Sequence, residues 1–157
     1  MAEPIVMKEQ DHRFKYEVAS KPGAENLQAC FSCGTCTATC PIAEIDDEFN
    51  PRKIIRMILL GMKKEVLSSP VIWRCVLCYA CSFKCPQNVK FRDIMRVLRK
   101  MAVEEGYARK SMEADIEALD DFTQEMRVEM VKALLKNRKK LEKTKQEIKK
   151  KLKTGKG

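Results

Sequence analysis

The sequence predicts a mainly α fold, and three observations carry that expectation. Apolar residues recur at helical period in separate stretches after residues 50, 90 and 111. Two helix starts are written as a capping side chain followed by proline, Asn50-Pro51 and Ser69-Pro70. No strand-like pattern frames the chain's most conspicuous feature, a cysteine spacing that occurs twice.

From the N-terminus, residues 1–23 read as an arm of mixed charge. Phe14, Tyr16 and Val18 alternate there, which suits a short strand or a segment that orders on a partner. The single histidine, His12, has no second donor beside it and reads as a surface residue. Pro22-Gly23 marks a turn, and a brief helical lead over 24–29 delivers the chain to Cys30. After the first cysteine run comes an acidic loop, Glu44, Asp46, Asp47 and Glu48, read as a solvated loop. Asn50 then caps a helix whose face is Ile54, Ile55, Ile58, Leu59 and Met62, closed near Gly61. Ser69-Pro70 opens a short helix leading into Cys75, with Trp73 as core or cluster shielding or as a partner contact. Phe91, Ile94, Met95, Leu98, Met101 and Ala102 make the next amphipathic helix, which Gly106 ends. Residues 108–157 form a helical extension: no Gly or Pro interrupts it from Lys110 until Gly155, and Met112, Ile116, Leu119, Phe122 and Met126 share a face. Further on, Leu134, Leu141 and Ile148 make a stripe too thin for a coiled coil.

The two runs use all eight cysteines: Cys30, Cys33, Cys36 and Cys40 before Pro41, and Cys75, Cys78, Cys81 and Cys85 before Pro86. Each is C-x2-C-x2-C-x3-C-P, the run that holds a 4Fe-4S cluster. Thiolates at i, i+3 and i+6 wrap three corners of a small cube on one tight loop, so the fourth corner comes from elsewhere. In two-cluster proteins the last cysteine of each run ligates the other cluster. The expected sets are therefore Cys30, Cys33, Cys36 and Cys85 for one cluster, and Cys75, Cys78, Cys81 and Cys40 for the other. Pro41 and Pro86 turn the chain away after the last ligand. Gly34 permits close backbone approach, where the second run has Tyr79. Structural zinc prefers two separated C-x2-C pairs and needs neither the third cysteine nor the C-P step. A disulfide framework belongs to secreted chains.

The net charge of +9 is not spread evenly: residues 132–157 carry a net +10, and the other 131 carry −1. The body that holds the cysteines therefore lacks the field of a nucleic-acid binder. The basic end is a solvated helix, or docks on a protein in preference to RNA or anionic lipid. No apolar run approaches the roughly 20 residues of a membrane span, and the first stretch is polar, unlike a targeting segment. The expectation is a cytoplasmic protein in an anaerobic setting.

The two runs, the Asn50-Pro51-Arg52 helix between them, and the stretch through Trp73, Arg74, Cys75, Cys78, Tyr79 and Cys81 resemble the C-type subunit of heterodisulfide reductase from methanogenic or related archaea. The resemblance covers about 24–107 and implies an α-helical ferredoxin domain, similar also to those of succinate dehydrogenase and fumarate reductase iron-sulfur proteins. It implies an electron-relay role between two other members of a heterodisulfide reductase complex. One is a flavin-bearing A-type subunit, and the other is a catalytic B-type subunit that reduces the coenzyme M–coenzyme B heterodisulfide. A hydrogenase or formate dehydrogenase module is implied as a further partner. The sequence has no Cys-Cys-Gly motif of the B type and no Gly-rich dinucleotide fingerprint, so neither the substrate site nor the flavin is expected here. With no candidate acid–base pair and no spare thiol, the chain reads as a non-catalytic electron-transfer component. The rivals are a free ferredoxin-like carrier, the iron-sulfur protein of another anaerobic dehydrogenase, and a zinc-dependent nucleic-acid binder. One finer expectation concerns potential. Ser32, Thr35, Thr37 and Thr39 surround the first run with hydroxyls, whereas Trp73, Val76, Leu77 and Phe83 make the second drier, so the first cluster is expected to be the more oxidising.

Overall fold

The computed structural model describes residues 10–136 together with residues 143, 145, 146 and 150. Among these there is no strand, and the helices fall into two compact units, Met1–Met112 and Glu113–Gly157.

The first unit is built on a repeated plan. A 3-10 turn over Glu25–Ala29 leads into the first cysteine run, whose middle forms α2 (Thr35–Ala38), and a longer helix, α3 (Pro51–Leu59), follows. A 3-10 turn over Pro70–Arg74 leads into the second run, whose middle forms α5 (Ala80–Lys84), and α6 (Phe91–Glu104) follows. Two further helices, α1 (Phe14–Ala19) and α4 (Lys63–Leu67), flank the repeats. α2 packs on α3 as α5 packs on α6, and α2 and α5 pack on each other.

Local sequence explains the boundaries. Asn50 accepts a hydrogen bond from Lys53 N at 3.0 Å, and Pro51 occupies the first helical position, where a missing N–H costs nothing. α3 ends in a Schellman motif: Gly61 N donates to Ile58 O and Met62 N to Met57 O, with Gly61 at φ 80°. α6 ends the same way, through Gly106 N to Val103 O and Tyr107 N to Ala102 O. Ser69 accepts from Val71 N at 3.2 Å and starts the second 3-10 turn. Gly61 has a second constraint, because a Cβ there would run into the Asp11 carbonyl; Asp11 N in turn donates to Gly61 O at 3.0 Å.

The buried faces meet in one core. Ile54, Ile55 and Ile58 of α3, Val66 and Leu67 of α4, and Ile94, Met95, Leu98, Met101 and Ala102 of α6 are all buried. Each large apolar side chain contributes about 1.5–3 kcal/mol to folding. Phe14 and Val18 join this core at 0% exposure. The alternation at 14–18 is therefore not a strand: the segment is α1, its i, i+4 pair faces inward, and Tyr16 is 54% exposed. From Asp11 onward the stretch read as an N-terminal arm is packed into the first unit. Lys63 on α4 ties this region together, bonding Glu17 on α1 at 3.0 Å and Glu105, just past α6, at 2.8 Å.

The second unit is described through α7 (Met112–Lys136), a 25-residue helix none of whose residues is buried. Glu113 and Asp115 stand in its first turn, where they complement the helix dipole. Lys132 pairs with Glu129 at 2.7 Å. Of the stripe expected beyond it, Leu134 lies on α7, while Leu141 and Ile148 lie outside the described residues, as does most of the basic end.

Candidate metal centres

Two residues in each run adopt left-handed backbone, at equivalent positions. Ser32 and Gly34 have φ 60° and 85° in the first run, Leu77 and Tyr79 have φ 50° and 65° in the second. This conformation costs a non-glycine residue about 1–2 kcal/mol, and strain of that kind is retained where the site demands it. Here it curls each run so that its first three cysteines turn toward one cavity.

The cavities draw cysteines from both runs. The first is lined by Cys30, Cys33, Cys36, Cys81 and Cys85. The second is lined by Cys40, Cys75, Cys78 and Cys81. Phe91, at the start of α6, lies against both. All eight cysteines are free thiols; Cys75 and Cys81 are buried, and Cys33 and Cys78 reach the surface. Among the described residues no three His, Cys, Asp or Glu side chains converge closely enough for a single metal ion. The thiols around each cavity are the donor chemistry that a 4Fe-4S group requires.

Burial shapes these thiols. Cys36 and Cys75 are both pushed up to about 11, because an apolar setting disfavours the thiolate. Cys81 is raised for the same reason. Cys33, at the surface, is lowered by the Thr35 hydroxyl 3.3 Å from its sulfur. Metal coordination deprotonates a thiol outright, so loading releases the protons that burial retains. Cys85 Sγ accepts a hydrogen bond from Val89 N at 3.4 Å.

The surrounding polar groups differ from the hydroxyl-rich picture of the first run. Thr37 donates to Asn50 Oδ1 at 3.1 Å and accepts from Arg52 N at 3.0 Å, and Thr39 donates to Thr35 O at 2.9 Å. Those hydroxyls fasten the run to α3 and to its own backbone. In the second run Phe83 is 86% exposed and Val76 is also exposed, while Cys75 and Cys81 themselves are buried.

Arginines do much of the positioning, a role the sequence did not show. Arg74 bonds Asp46 at 2.8 Å and Glu48 at 2.7 Å, so two acids of the expected solvated loop anchor the residue before Cys75. Arg99 is 4% exposed and donates to the carbonyls of Ile72, Trp73 and Cys75 at 3.0, 3.1 and 2.6 Å. Its guanidinium also lies 5.5 Å from the centre of the Trp73 ring, which packs on the core. Arg92 lines the second cavity and stacks 3.9 Å over the Tyr79 ring. Arg99 had a signal: it stands in the stripe of Met95, Leu98 and Ala102, where a cation needs a buried partner. Arg92 had none, reading as an ordinary surface charge. His12 is exposed and Trp73 half-buried.

A family model described as 4Fe-4S dicluster domain matches residues 26–89. The chain carries a 4Fe-4S dicluster domain. Around that dicluster domain the chain is 39% identical over 85 residues to the C subunit of the H(2):CoB-CoM heterodisulfide,ferredoxin reductase of Methanothermobacter thermautotrophicus, covering 54% of this chain and 45% of the relative. It is 42% identical over 85 residues to the C subunit of the Ferredoxin:CoB-CoM heterodisulfide reductase of Methanosarcina acetivorans, covering 54% and 34%. A protein of Archaeoglobus profundus, named as like the C subunit of heterodisulfide reductase, is 36% identical over 89 residues, covering 57% and 47%. The chain spans about half the length, or less, of these curated relatives. The resemblance read from the two runs is thus a homology across the dicluster domain. Among the described residues no helix is long and apolar enough to cross a membrane.

Proposed function

We propose that this chain is the electron-relay component of a heterodisulfide reductase-type complex. Its dicluster domain, 24–107, holds two 4Fe-4S clusters, one on Cys30, Cys33, Cys36 and Cys85, the other on Cys75, Cys78, Cys81 and Cys40. Residues 1–23 precede it, with Phe14 and Val18 packed into its core, and the helical extension 108–157 follows. The observation that carries the reading is that each cavity is lined by the first three cysteines of one run and the last cysteine of the other, Cys81 bordering both cavities. When bound, such clusters accept and pass single electrons. The chain's residues supply the thiolates, fix the loops that present them and limit water at Cys75 and Cys81.

In this reading electrons arrive from a flavin-bearing A-type subunit, fed by a hydrogenase or formate dehydrogenase module. They leave to a B-type subunit that reduces the coenzyme M–coenzyme B heterodisulfide. Support comes from the relatives' names, which include the C2 subunit of an H(2)/formate:CoB-CoM heterodisulfide,ferredoxin reductase from Methanococcus maripaludis. The chain is a non-catalytic part of that oxidoreductase, works in the cytoplasm and binds no nucleic acid. Anaerobic purification from the native organism tests this. The expected result is about eight iron and eight sulfide per chain, with a flavoprotein and a Cys-Cys-Gly protein co-purifying. A lone monodisperse chain with full iron would point to a free carrier, and a colourless zinc protein would remove the proposal.

A further inference from the structure

The two cavities share a backbone plan but not their cations. Arg52, second residue of α3, lines the first cavity and is exposed. Arg92, second residue of α6, lines the second with its side chain only 15% exposed. Its Nη1 bonds Asp93 at 3.0 Å, and its guanidinium face is occupied by Tyr79. The Nε–H is buried and has no hydrogen-bond partner among the described residues. A buried donor in that state costs about as much as a lost hydrogen bond, so a ligand in the cavity it lines is the natural acceptor. A second guanidinium, Arg99, lies buried against the Cys75 carbonyl.

We propose that Arg92 Nε–H donates a hydrogen bond to the iron-sulfur group of the second cavity, and that Arg92 and Arg99 make this group the more readily reduced of the two. The inference rests on the two-cluster reading above. Reduction adds negative charge, and buried cations stabilise it more than exposed ones do. Hydrogen bonds to the sulfurs act in the same direction. Around the first cavity the donors seen on sulfur are neutral, Val89 N on Cys85 and the Thr35 hydroxyl beside Cys33. Around the second, neutral donors on Cys75 and Cys81 are joined by the charged Arg92 side chain, whose bond is roughly twice as strong as a neutral one. Asp93 offsets part of the Arg92 charge but leaves Nε free to donate. The order is the reverse of the one the hydroxyl-rich first run suggested, and electrons then pass from the first cavity to the second.

Redox titration followed by electron paramagnetic resonance, on full-length protein prepared without air, tests this with Arg92→Met, Arg92→Lys and Arg52→Met. In Arg92→Met the higher of the two midpoints is expected to fall by about a tenfold change in equilibrium, 59 mV for one electron, while the lower stays. Arg92→Lys keeps the charge without the planar donor and recovers part of the shift. Arg52→Met leaves the higher midpoint in place. Full iron content with both midpoints unchanged in Arg92→Met, or a fall in the lower one, overturns the inference alone. Absence of iron and sulfide from the native protein overturns the cluster reading and this inference together. Should Arg92→Met lose iron, native protein carrying arginine labelled with 15N at Nε decides. A nitrogen coupling on the higher-potential signal supports the hydrogen bond, and its absence there refutes it.

Discussion

Arg99 offers the sharpest test of how the second run is held. Replacing it with Met keeps an unbranched apolar stem on α6 but removes the donors to the carbonyls of Ile72, Trp73 and Cys75. A buried carbonyl stripped of its donor costs about 1–3 kcal/mol. The Ile72 and Cys75 bonds are buried and carry the larger share, while the Trp73 bond is part-buried and water replaces some of it. The sum is about 3–5 kcal/mol, a large part of a typical domain stability of roughly 5–15 kcal/mol. Urea unfolding, followed anaerobically by far-ultraviolet circular dichroism, is then expected to show a midpoint lower by about 1.5–2.5 M. Arg99→Lys is expected to keep only part of the stability, because one ammonium does not reproduce the guanidinium fork. The loss should also be uneven, with iron leaving the Cys75 side before the other. A shift below about 1 kcal/mol in Arg99→Met would refute the reasoning, since it would mean the three carbonyls find other partners at no cost.

Three further outcomes are expected. Cys85→Ser should impair the centre of the first run, and Cys40→Ser that of the second; measured by iron content and by which resonance signal disappears, damage within the same run would rule out the crossing. Gly61→Ala should cost about 2–3 kcal/mol, because φ 80° and the Asp11 carbonyl both oppose a side chain there; an unchanged thermal midpoint would contradict it. For Lys63, burial lowers the ammonium's pKa but the hydrogen bonds it donates to Glu105 and Glu17 outweigh it, leaving the pKa raised. Its stabilisation is therefore fully present below the unfolded value of about 10.4 and is lost as pH rises through the folded one. Lys63→Met should cost about 1 kcal/mol near neutrality, measured as a urea midpoint difference from the native protein that narrows above about pH 10.4.

The parts legible in the sequence are those fixed by local chemistry. Asn50-Pro51, Ser69-Pro70, Gly61 and Gly106 act within one helical turn, and each ends or starts an element where expected. The eight cysteines were equally plain, since spacing alone specifies their chemistry. What escaped depends on contacts between distant segments. Phe14 and Val18 belong both to an alternating set and to an i, i+4 pair, and only the core contributed by α3 and α6 makes the helical choice. The acidic loop is solvated as expected at Glu44, Asp47 and Glu48, but Asp46 is partly covered by the Arg74 that pairs with it and with Glu48. Tyr79 stands where the first run has a glycine, and its left-handed backbone is accompanied by an Arg92 guanidinium stacked on its ring.

The doubled plan also bears on why the last cysteine of each run faces the other cavity. Cys40 follows α2 and Cys85 follows α5, and these short helices pack on one another. Each therefore carries the chain off its own loop and delivers the next residues to the opposite side. A single half offers three sulfurs to a cavity and no fourth, so under the proposed assignment neither half holds its centre alone. The same exchange makes the two cavities near neighbours, with Cys81 and Phe91 shared between them. Two identical halves would give centres of equal potential and no preferred direction. Here the repeated features are the cysteines, the left-handed positions and the helix ends, whereas the guanidinium lining the second cavity, Arg92, is largely covered and the one lining the first, Arg52, is exposed. Direction in such a relay comes from the positions where the two halves differ.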